Sequence, residues 1–124
     1  MMTLNEYQEL ALRTAHLHEN HEDDLLHGAA GVCTEAGELM DIYKRFKFYG
    51  KPVDWVNVKE EVGDVMWYLA LVCQSAGISL EDAAKGNIEK LRVRYPDRFS
   101  RNAALERDLD AEREVLEKKK SLTV

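Results

Sequence analysis

The sequence predicts an all-α fold, organised as a bundle of four or five helices. Three observations support this prediction. Apolar residues recur at helical spacing through most of the chain, no useful length of sequence alternates in the manner of a strand, and Gly and Pro separate the periodic segments. The 124 residues are enough for a single hydrophobic core.

The first two helices are predicted from their apolar periodicity. Residues 3–19 form one amphipathic segment, and residues 23–49 form a longer one with more than one apolar face. Gly50 and Pro52 are expected to end the second helix, because Gly readily adopts the left-handed conformation at helix ends and Pro cannot continue a helix.

A third helix is predicted over residues 54–76, with Asp54 as its N-cap and Gly77 at its end. Its centre, VMWYLALVC, is apolar on all sides, which indicates a helix surrounded by other helices. A fourth helix follows and must end near Tyr95, because the next residue is Pro96.

Two parts of the chain differ in composition. Residues 1–100 are predicted to form the functional domain, and residues 101–124 a charged C-terminal helix or tail with a thin stripe of leucines. A solvated or frayed helix and an arm that packs on a partner subunit are both compatible with that stripe.

Composition and charge exclude several classes of protein. The net charge of -6 argues against a protein that grips the backbone of nucleic acid. The apolar runs are too short to cross a bilayer, and the N-terminus lacks a signal-peptide pattern. Cys33 and Cys73 have no metal-binding spacing and are expected to be reduced core thiols. We therefore expect a cytoplasmic protein with neither a nucleic-acid nor a membrane partner.

Two acidic motifs, EAGE and EVGD, stand inside apolar segments. They place Glu35 with Glu38, and Glu61 with Asp64, three residues apart on one helical face. If the second and third helices pack antiparallel, the four carboxylates converge. Close carboxylates repel one another and need a counter-charge. All-oxygen ligation favours Mg²⁺ or Mn²⁺ as that counter-charge.

Other interpretations of these residues were weighed. A lone ExxE is usually a solvent-facing pair, and a di-iron site of the ferritin-like type requires an ExxH pair that the chain lacks. The histidines are irregularly spaced and are expected to be surface or hinge residues; they are His16, His18, His21 and His27.

Glycines within the acidic motifs also need an explanation. Gly37 and Gly63 interrupt helical segments, although Gly costs roughly 1 kcal/mol in a helix relative to Ala. We expect a helix, a metal ion or a substrate to approach the backbone closely at these positions.

The acidic motifs and their surroundings resemble the all-α nucleoside triphosphate pyrophosphohydrolases of the MazG type, particularly small phage-type members. The resemblance extends to Ser100 and is carried by HGAAGVCTEAGEL, KEEVGDVMWYLA, GISLED and NIEKLRVRYPDRFS. It implies a Mg²⁺ cofactor, with Mn²⁺ as a substitute, and cleavage of nucleoside triphosphates between the α- and β-phosphates. The products are a nucleoside monophosphate and pyrophosphate.

The resemblance also implies roles for individual residues. Glu35, Glu38, Glu61 and Asp64 match the metal ligands. Glu38 and Glu61 are the predicted catalytic residues. A carboxylate not fully committed to metal, Glu38 or Glu60, is expected to orient or deprotonate the attacking water.

The expected substrate-binding residues follow the second motif. Asn87, Lys90 and Arg94 match the family and share one face of the fourth helix, and Tyr95 is a candidate contact to the base. Many relatives carry a further acid immediately before the first motif, where this chain has Thr34. This difference leaves the identity of the base and the number of metal ions open.

Small residues at positions 28–31 and large apolar residues at 66–68 suggest self-association. We expect a homodimer or homotetramer with substrate sites near the subunit interfaces, and the resemblance agrees. Two other functions stay open: a relative with a narrow substrate, such as dUTP or phosphoribosyl-ATP, and a non-catalytic helical adaptor.

Overall fold

A computed structural model describes residues 1–122, with side chains to Glu117, and contains six α-helices and no strand in that range. The helices are α1 (Leu4–Leu12), α2 (His21–Tyr49), α3 (Trp55–Ala76), α4 (Leu80–Arg94), α5 (Arg101–Leu105) and α6 (Leu109–Leu122). The all-α prediction is confirmed. The helix count exceeds the prediction because the C-terminal segment forms two helices rather than one; its last two residues lie outside the described part.

The chain divides into two compact units, Met1–Leu80 and Glu81–Val124. The first contains α1, α2 and α3, and the second contains nearly all of α4 together with α5 and α6. Within residues 1–122, no helix combines the length and apolar character that a bilayer span requires.

The turn between α2 and α3 is built by the residues that the sequence singled out. Gly50 ends α2 with φ at 64°, in the left-handed region that favours glycine. The Asp54 carboxylate accepts hydrogen bonds from the backbone N–H groups of Val56 and Asn57, at 3.1 Å each. Gly77 ends α3 in the same manner as Gly50, with φ at 70°.

Two buried glycines let α2 approach α3 closely. A Cβ atom at Gly28 would lie 2.8 Å from Val72 Cγ2, and one at Gly31 would overlap the ring of Tyr68. Gly28 and Gly31 therefore serve packing within the chain, whereas Ala29 and Ala30 are exposed.

The first helix is shorter than predicted, since α1 ends at Leu12 rather than near residue 19. The Thr14 hydroxyl donates a hydrogen bond of 2.6 Å to the carbonyl of Ala11, which competes with helical hydrogen bonding. The buried Asp24 carboxylate then accepts the backbone N–H of His18 at 2.8 Å and contacts its Nδ1 at 2.7 Å. These contacts hold the connection in a non-helical path. They lower the pKa of Asp24, chiefly through the backbone N–H.

Polar side chains tie α1 and the residues after it to α3 and to the turn that follows α3. Gln8 is buried, and its amide donates to the carbonyl of Ile78 at 3.2 Å and accepts the N–H of Leu80 at 2.7 Å. Trp67 Nε1 donates to the Thr14 hydroxyl at 2.8 Å. The buried apolar residues are few and mostly small; they are Ala11, Ile42, Ala70, Leu71 and Cys73.

Much of the apolar surface on α2 and α3 is uncovered by the rest of the chain. Met40 and Tyr43 on α2 are 67% and 59% exposed, and Trp55 and Val56 at the start of α3 are 74% and 79% exposed. Large apolar side chains exposed in this number are typical of interaction sites.

In the second unit, α4 and α6 contact each other near Gly86 and at Arg94. Leu116 Cδ2 lies 3.3 Å from the position that a Cβ atom at Gly86 would occupy. Eight residues further along α4, Arg94 Nε donates to Glu112 Oε1 at 2.7 Å. Arg107 donates to the other oxygen of Glu112 at 2.8 Å. The carboxylate of Glu112 is thus bound on both sides by guanidinium groups.

We predict opposite effects on stability for two glycine substitutions in α2. Gly31→Ala places a methyl group in the volume of the Tyr68 ring, and such overpacking costs about 1–3 kcal/mol. Gly37→Ala is the matched control, because no described atom lies within 4 Å of its Cβ position. It should stabilise by up to about 1 kcal/mol, since Ala is the better helix former. Urea unfolding measures both, and equal effects would contradict the close packing at Gly31.

Candidate metal centre

The packing of α2 on α3 sets which acidic residues face one another. Gly31 on α2 lies against Tyr68 on α3, and the helices run antiparallel. One helical turn beyond Gly31 is Glu35, and one turn before Tyr68 is Asp64. This register places the two acidic motifs opposite each other, at the same height along the pair of helices.

Three of the four predicted acids form a tight cluster. Glu35, Glu61 and Asp64 each offer a carboxylate oxygen, and these oxygens lie within 4.8 Å of one another. Glu61 is buried, and Glu35 and Asp64 are half-buried. Glu38 is exposed and lies outside this group of three.

The surroundings of Glu61 disfavour the ionised form of its carboxyl group. The residue is 7% exposed, and its Oε2 has no hydrogen-bond partner among the described residues. Burial raises the pKa of Glu61 to about 7, aided by a hydrogen bond with Glu35 and by the charges of Glu35, Asp64 and Glu38. A carboxylate in this setting needs either a proton or a cation.

The donor set fits a hard divalent cation. All three groups are carboxylates, which are the ligands that ions such as Mg²⁺ and Mn²⁺ prefer. A cation bound there would also give the buried Oε2 of Glu61 the partner that it lacks. Buried polar atoms without partners are rare in folded proteins, so this one is informative.

Tyr7 on α1 also lies beside the cluster and was not identified from the sequence. Its hydroxyl donates to the carbonyl of Gly63 at 3.4 Å. Burial raises the pKa of Tyr7, and the negative charge of Asp64 raises it further. In the sequence Tyr7 is only one of several apolar positions on an amphipathic helix, so no local pattern distinguishes it.

The two motif glycines have open surroundings. No described atom lies within 4 Å of a Cβ position built at Gly37 or Gly63. Within the described residues, therefore, no other helix packs against the Cβ positions of Gly37 and Gly63, although the Tyr7 hydroxyl of α1 reaches the carbonyl of Gly63 at 3.4 Å. A bound metal, a substrate or a second subunit stays compatible with these open positions.

Three of the four histidines pack together rather than forming a ligand set. The rings of His16, His18 and His27 follow one another at centroid distances of 6.2 and 5.9 Å. His27 then contacts the ring of Tyr68 edge-on at 5.7 Å. Among the residues described, the only group with metal-ligand spacing is the carboxylate cluster.

The predicted substrate-binding residues lie in the second unit. Asn87 is exposed and Lys90 is half-buried on α4, three residues apart. Arg94 binds Glu112, and its Cζ lies 5.7 Å from the centroid of the Tyr95 ring. Glu112 was not identified from the sequence, because it is one acid among many in a charged segment.

Comparison with known proteins adds one finding. A family model described as the MazG nucleotide pyrophosphohydrolase domain matches residues 23–99. The matched segment contains all four predicted acids and the predicted substrate-binding residues. A comparison with curated proteins and a comparison with solved structures each find no significant match.

We predict that the stability of the metal-free protein falls as Glu61 loses its proton. The folded-state pKa of about 7 lies above the usual value of 4.5. Raising the pH between these values therefore ionises Glu61 in the unfolded chain first, which favours unfolding. Thermal unfolding from pH 5 to 8 in a chelator should show wild type losing stability relative to Glu61→Gln, which has no such proton.

A divalent cation should reverse this trend. Because it competes with the proton at Glu61, it should raise the unfolding temperature of wild type more at pH 8 than at pH 5.5. The Glu61→Gln variant should show a smaller rise at both values. Parallel pH curves for the two proteins without metal would contradict the account of Glu61.

Proposed function

The chain belongs to the MazG nucleotide pyrophosphohydrolase family, and on that premise we propose that it is a Mg²⁺-dependent nucleoside triphosphate pyrophosphohydrolase. It cleaves nucleoside or deoxynucleoside triphosphates between the α- and β-phosphates. The products are a nucleoside monophosphate and pyrophosphate. We expect Mn²⁺ to substitute for Mg²⁺, and the reaction to take place in the cytoplasm.

One observation carries this proposal beyond family membership. The buried Glu61 has a carboxylate oxygen without a described partner, and two further carboxylates lie within 4.8 Å. Three acids at this distance repel one another, so the arrangement disfavours the metal-free state. Because MazG proteins depend on metal, family membership supports the interpretation of the three carboxylates as a metal site.

The acidic residues divide into two proposed roles. Glu35, Glu61 and Asp64 bind the cation, and Glu38 completes the set from the exposed side. Bound Mg²⁺ neutralises phosphate charge and lowers the pKa of the attacking water. Glu38 also orients or deprotonates that water. The charge of Glu38 contributes to the raised pKa of Glu61, which supports a position for Glu38 beside the cluster.

The proposed chemical step is a hydrolysis in which water is the second reactant. The water oxygen bonds to one of the two phosphorus atoms that flank the bridging α–β oxygen. The bond between that phosphorus and the bridging oxygen breaks, and pyrophosphate and the monophosphate separate. The proton from the water passes to the carboxylate that positioned it.

Positive side chains on α4 are proposed to bind the phosphates. Asn87, Lys90 and Arg94 are spaced by three and four residues, so they share a face of α4. A triphosphate presents several negative oxygens, and a guanidinium can contact two of them at once. Tyr95 follows directly and is a candidate to contact the base.

Product analysis tests the proposal. Purified protein with Mg²⁺ and a panel of canonical and modified triphosphates should release monophosphate and pyrophosphate, detected by phosphorus NMR. Glu61→Gln should reduce kcat by at least about a hundredfold, because it removes the charge of the buried metal ligand. Glu38→Gln should lower kcat while metal affinity changes less.

Other outcomes of this product analysis would point to a different function. Release of diphosphate and orthophosphate would place the cleavage at a different bond and contradict the proposal. Turnover of only dUTP or phosphoribosyl-ATP would identify a relative with a narrow substrate. A folded, metal-bound protein that turns over no nucleotide would identify a binding protein instead.

We also propose that the protein is a homodimer or a homotetramer, with substrate sites near the subunit interfaces. The exposed apolar side chains on α2 and at the start of α3 support this, because a second copy would remove them from water. The open positions at Gly37 and Gly63 would lie on the side where that copy or the substrate approaches.

Mass measurement tests the oligomer. Light scattering should give a multiple of 14.2 kDa for wild type. Replacing both Met40 and Tyr43 with Glu should shift the mass towards one subunit, because charge in an apolar interface is costly. Leu17→Glu is the control, since Leu17 is 50% exposed but lies in the connection between α1 and α2. A monomeric wild type would contradict the proposal.

A further inference from the structure

Glu112 is the most deeply buried acid of the second unit and belongs to no part of the proposed reaction. It is 3% exposed, and it lies on α6, outside the segment that matches the family. Its two oxygens accept hydrogen bonds from Arg94 and Arg107. Arg94 Nε and Arg107 pull the pKa of Glu112 down to about 2, so the carboxylate is ionised at neutral pH.

Glu112 binds the Arg94 guanidinium through its Nε side. The Arg94 side chain is 16% exposed and also forms a hydrogen bond with Tyr95. The contact with Glu112 uses Nε, which carries one of the five N–H donors of the group. The other donors belong to the two terminal nitrogens, which form the end of the guanidinium. One carboxylate between two guanidinium groups also leaves the trio with a net positive charge, so it still attracts a phosphate.

We propose that Glu112 is a positioning residue for phosphate binding, which holds the Arg94 guanidinium of α4 in one orientation through its Nε. The α6 helix thereby completes the substrate-binding helix from outside the family-matched segment. The inference rests on the proposed function, in which Arg94 contacts the phosphates. A fixed guanidinium binds phosphate more tightly than a mobile one, because less side-chain freedom is lost on binding.

A purely structural role for Glu112 is the competing explanation. Leu116 on α6 already packs against α4 at Gly86, so Glu112 is not the only contact between these helices. Another ion pair of α6, between Arg113 and Glu117, joins two residues that are 73% and 61% exposed within the same helix. The bond between Arg94 and Glu112 differs from that surface pair, because it is buried and joins an expected phosphate ligand to an acid 18 residues away.

Binding of inorganic pyrophosphate tests the inference without requiring turnover. Calorimetry with the full-length protein and Mg²⁺ should give a Kd about tenfold higher for Glu112→Gln than for wild type, since the acceptor of the Arg94 Nε hydrogen bond loses its charge and one oxygen becomes an NH₂ group facing Arg107 or Arg94. KM for a triphosphate should rise by a similar factor, with kcat within twofold. Glu117→Gln is the matched control and should leave Kd and KM within twofold.

The outcomes separate this inference from the proposed function. If wild type releases no pyrophosphate but Glu112→Gln weakens pyrophosphate binding, only the proposed function is overturned. If wild type is active and Arg94→Gln weakens pyrophosphate binding while Glu112→Gln does not, only the inference is overturned. A wild type that binds no pyrophosphate overturns the inference regardless of turnover.

A second variant applies if Glu112→Gln does not fold. Glu112→Asp keeps the charge and shortens the side chain by one methylene, which withdraws the carboxylate from Arg94 Nε. An increase of threefold or more in the Kd for pyrophosphate, with an unfolding temperature near that of wild type, supports positioning. An unchanged Kd overturns it.

Discussion

The close contact between α2 and α3 at Gly28 and Gly31 is the constraint on which the rest of the first unit depends. It fixes both the separation of the two helices and their register, because the Tyr68 ring occupies the space beside Gly31. Adjacent positions on an α-helix differ by about 100° in direction. A shift of one residue in this register would therefore turn Glu35 and Asp64 away from each other. The acidic cluster is a consequence of glycine packing one turn away.

That cluster works against the stability of the fold that creates it. Glu61 is buried beside two other carboxylates, and burial holds its pKa near 7. A protein selected only for stability would place an apolar side chain at this position. Gly37 and Gly63 add a further cost in helix propensity without relieving any contact inside the chain. Local choices that conflict with stability are concentrated at functional sites, and here both kinds fall within the same two motifs.

Features with local signals could be predicted from the sequence, and features that depend on distant contacts could not. Gly50, Asp54 and Gly77 mark helix ends through their own backbone preferences, so those boundaries are confirmed. The predicted end of α1 near residue 19 was wrong, because the path of the chain after Leu12 depends on the buried carboxylate of Asp24. The acids were identified by spacing, but which three meet at short range depends on side-chain conformation. Glu112 is one of many charges in its segment, and only folding reveals its burial.

The distribution of charge fits the two kinds of ligand that the proposed hydrolysis of a triphosphate requires. The first 80 residues contain six Lys and Arg against thirteen Asp and Glu, a net charge of -7, whereas the remaining 44 have eleven against ten, a net of +1. The first unit therefore attracts cations and repels a free triphosphate. In the proposed reaction, productive binding of a triphosphate requires that metal neutralise the carboxylates and that cations such as Arg94 contact the phosphate oxygens. Acids and cations are then two halves of one requirement, and neither suffices for binding without the other.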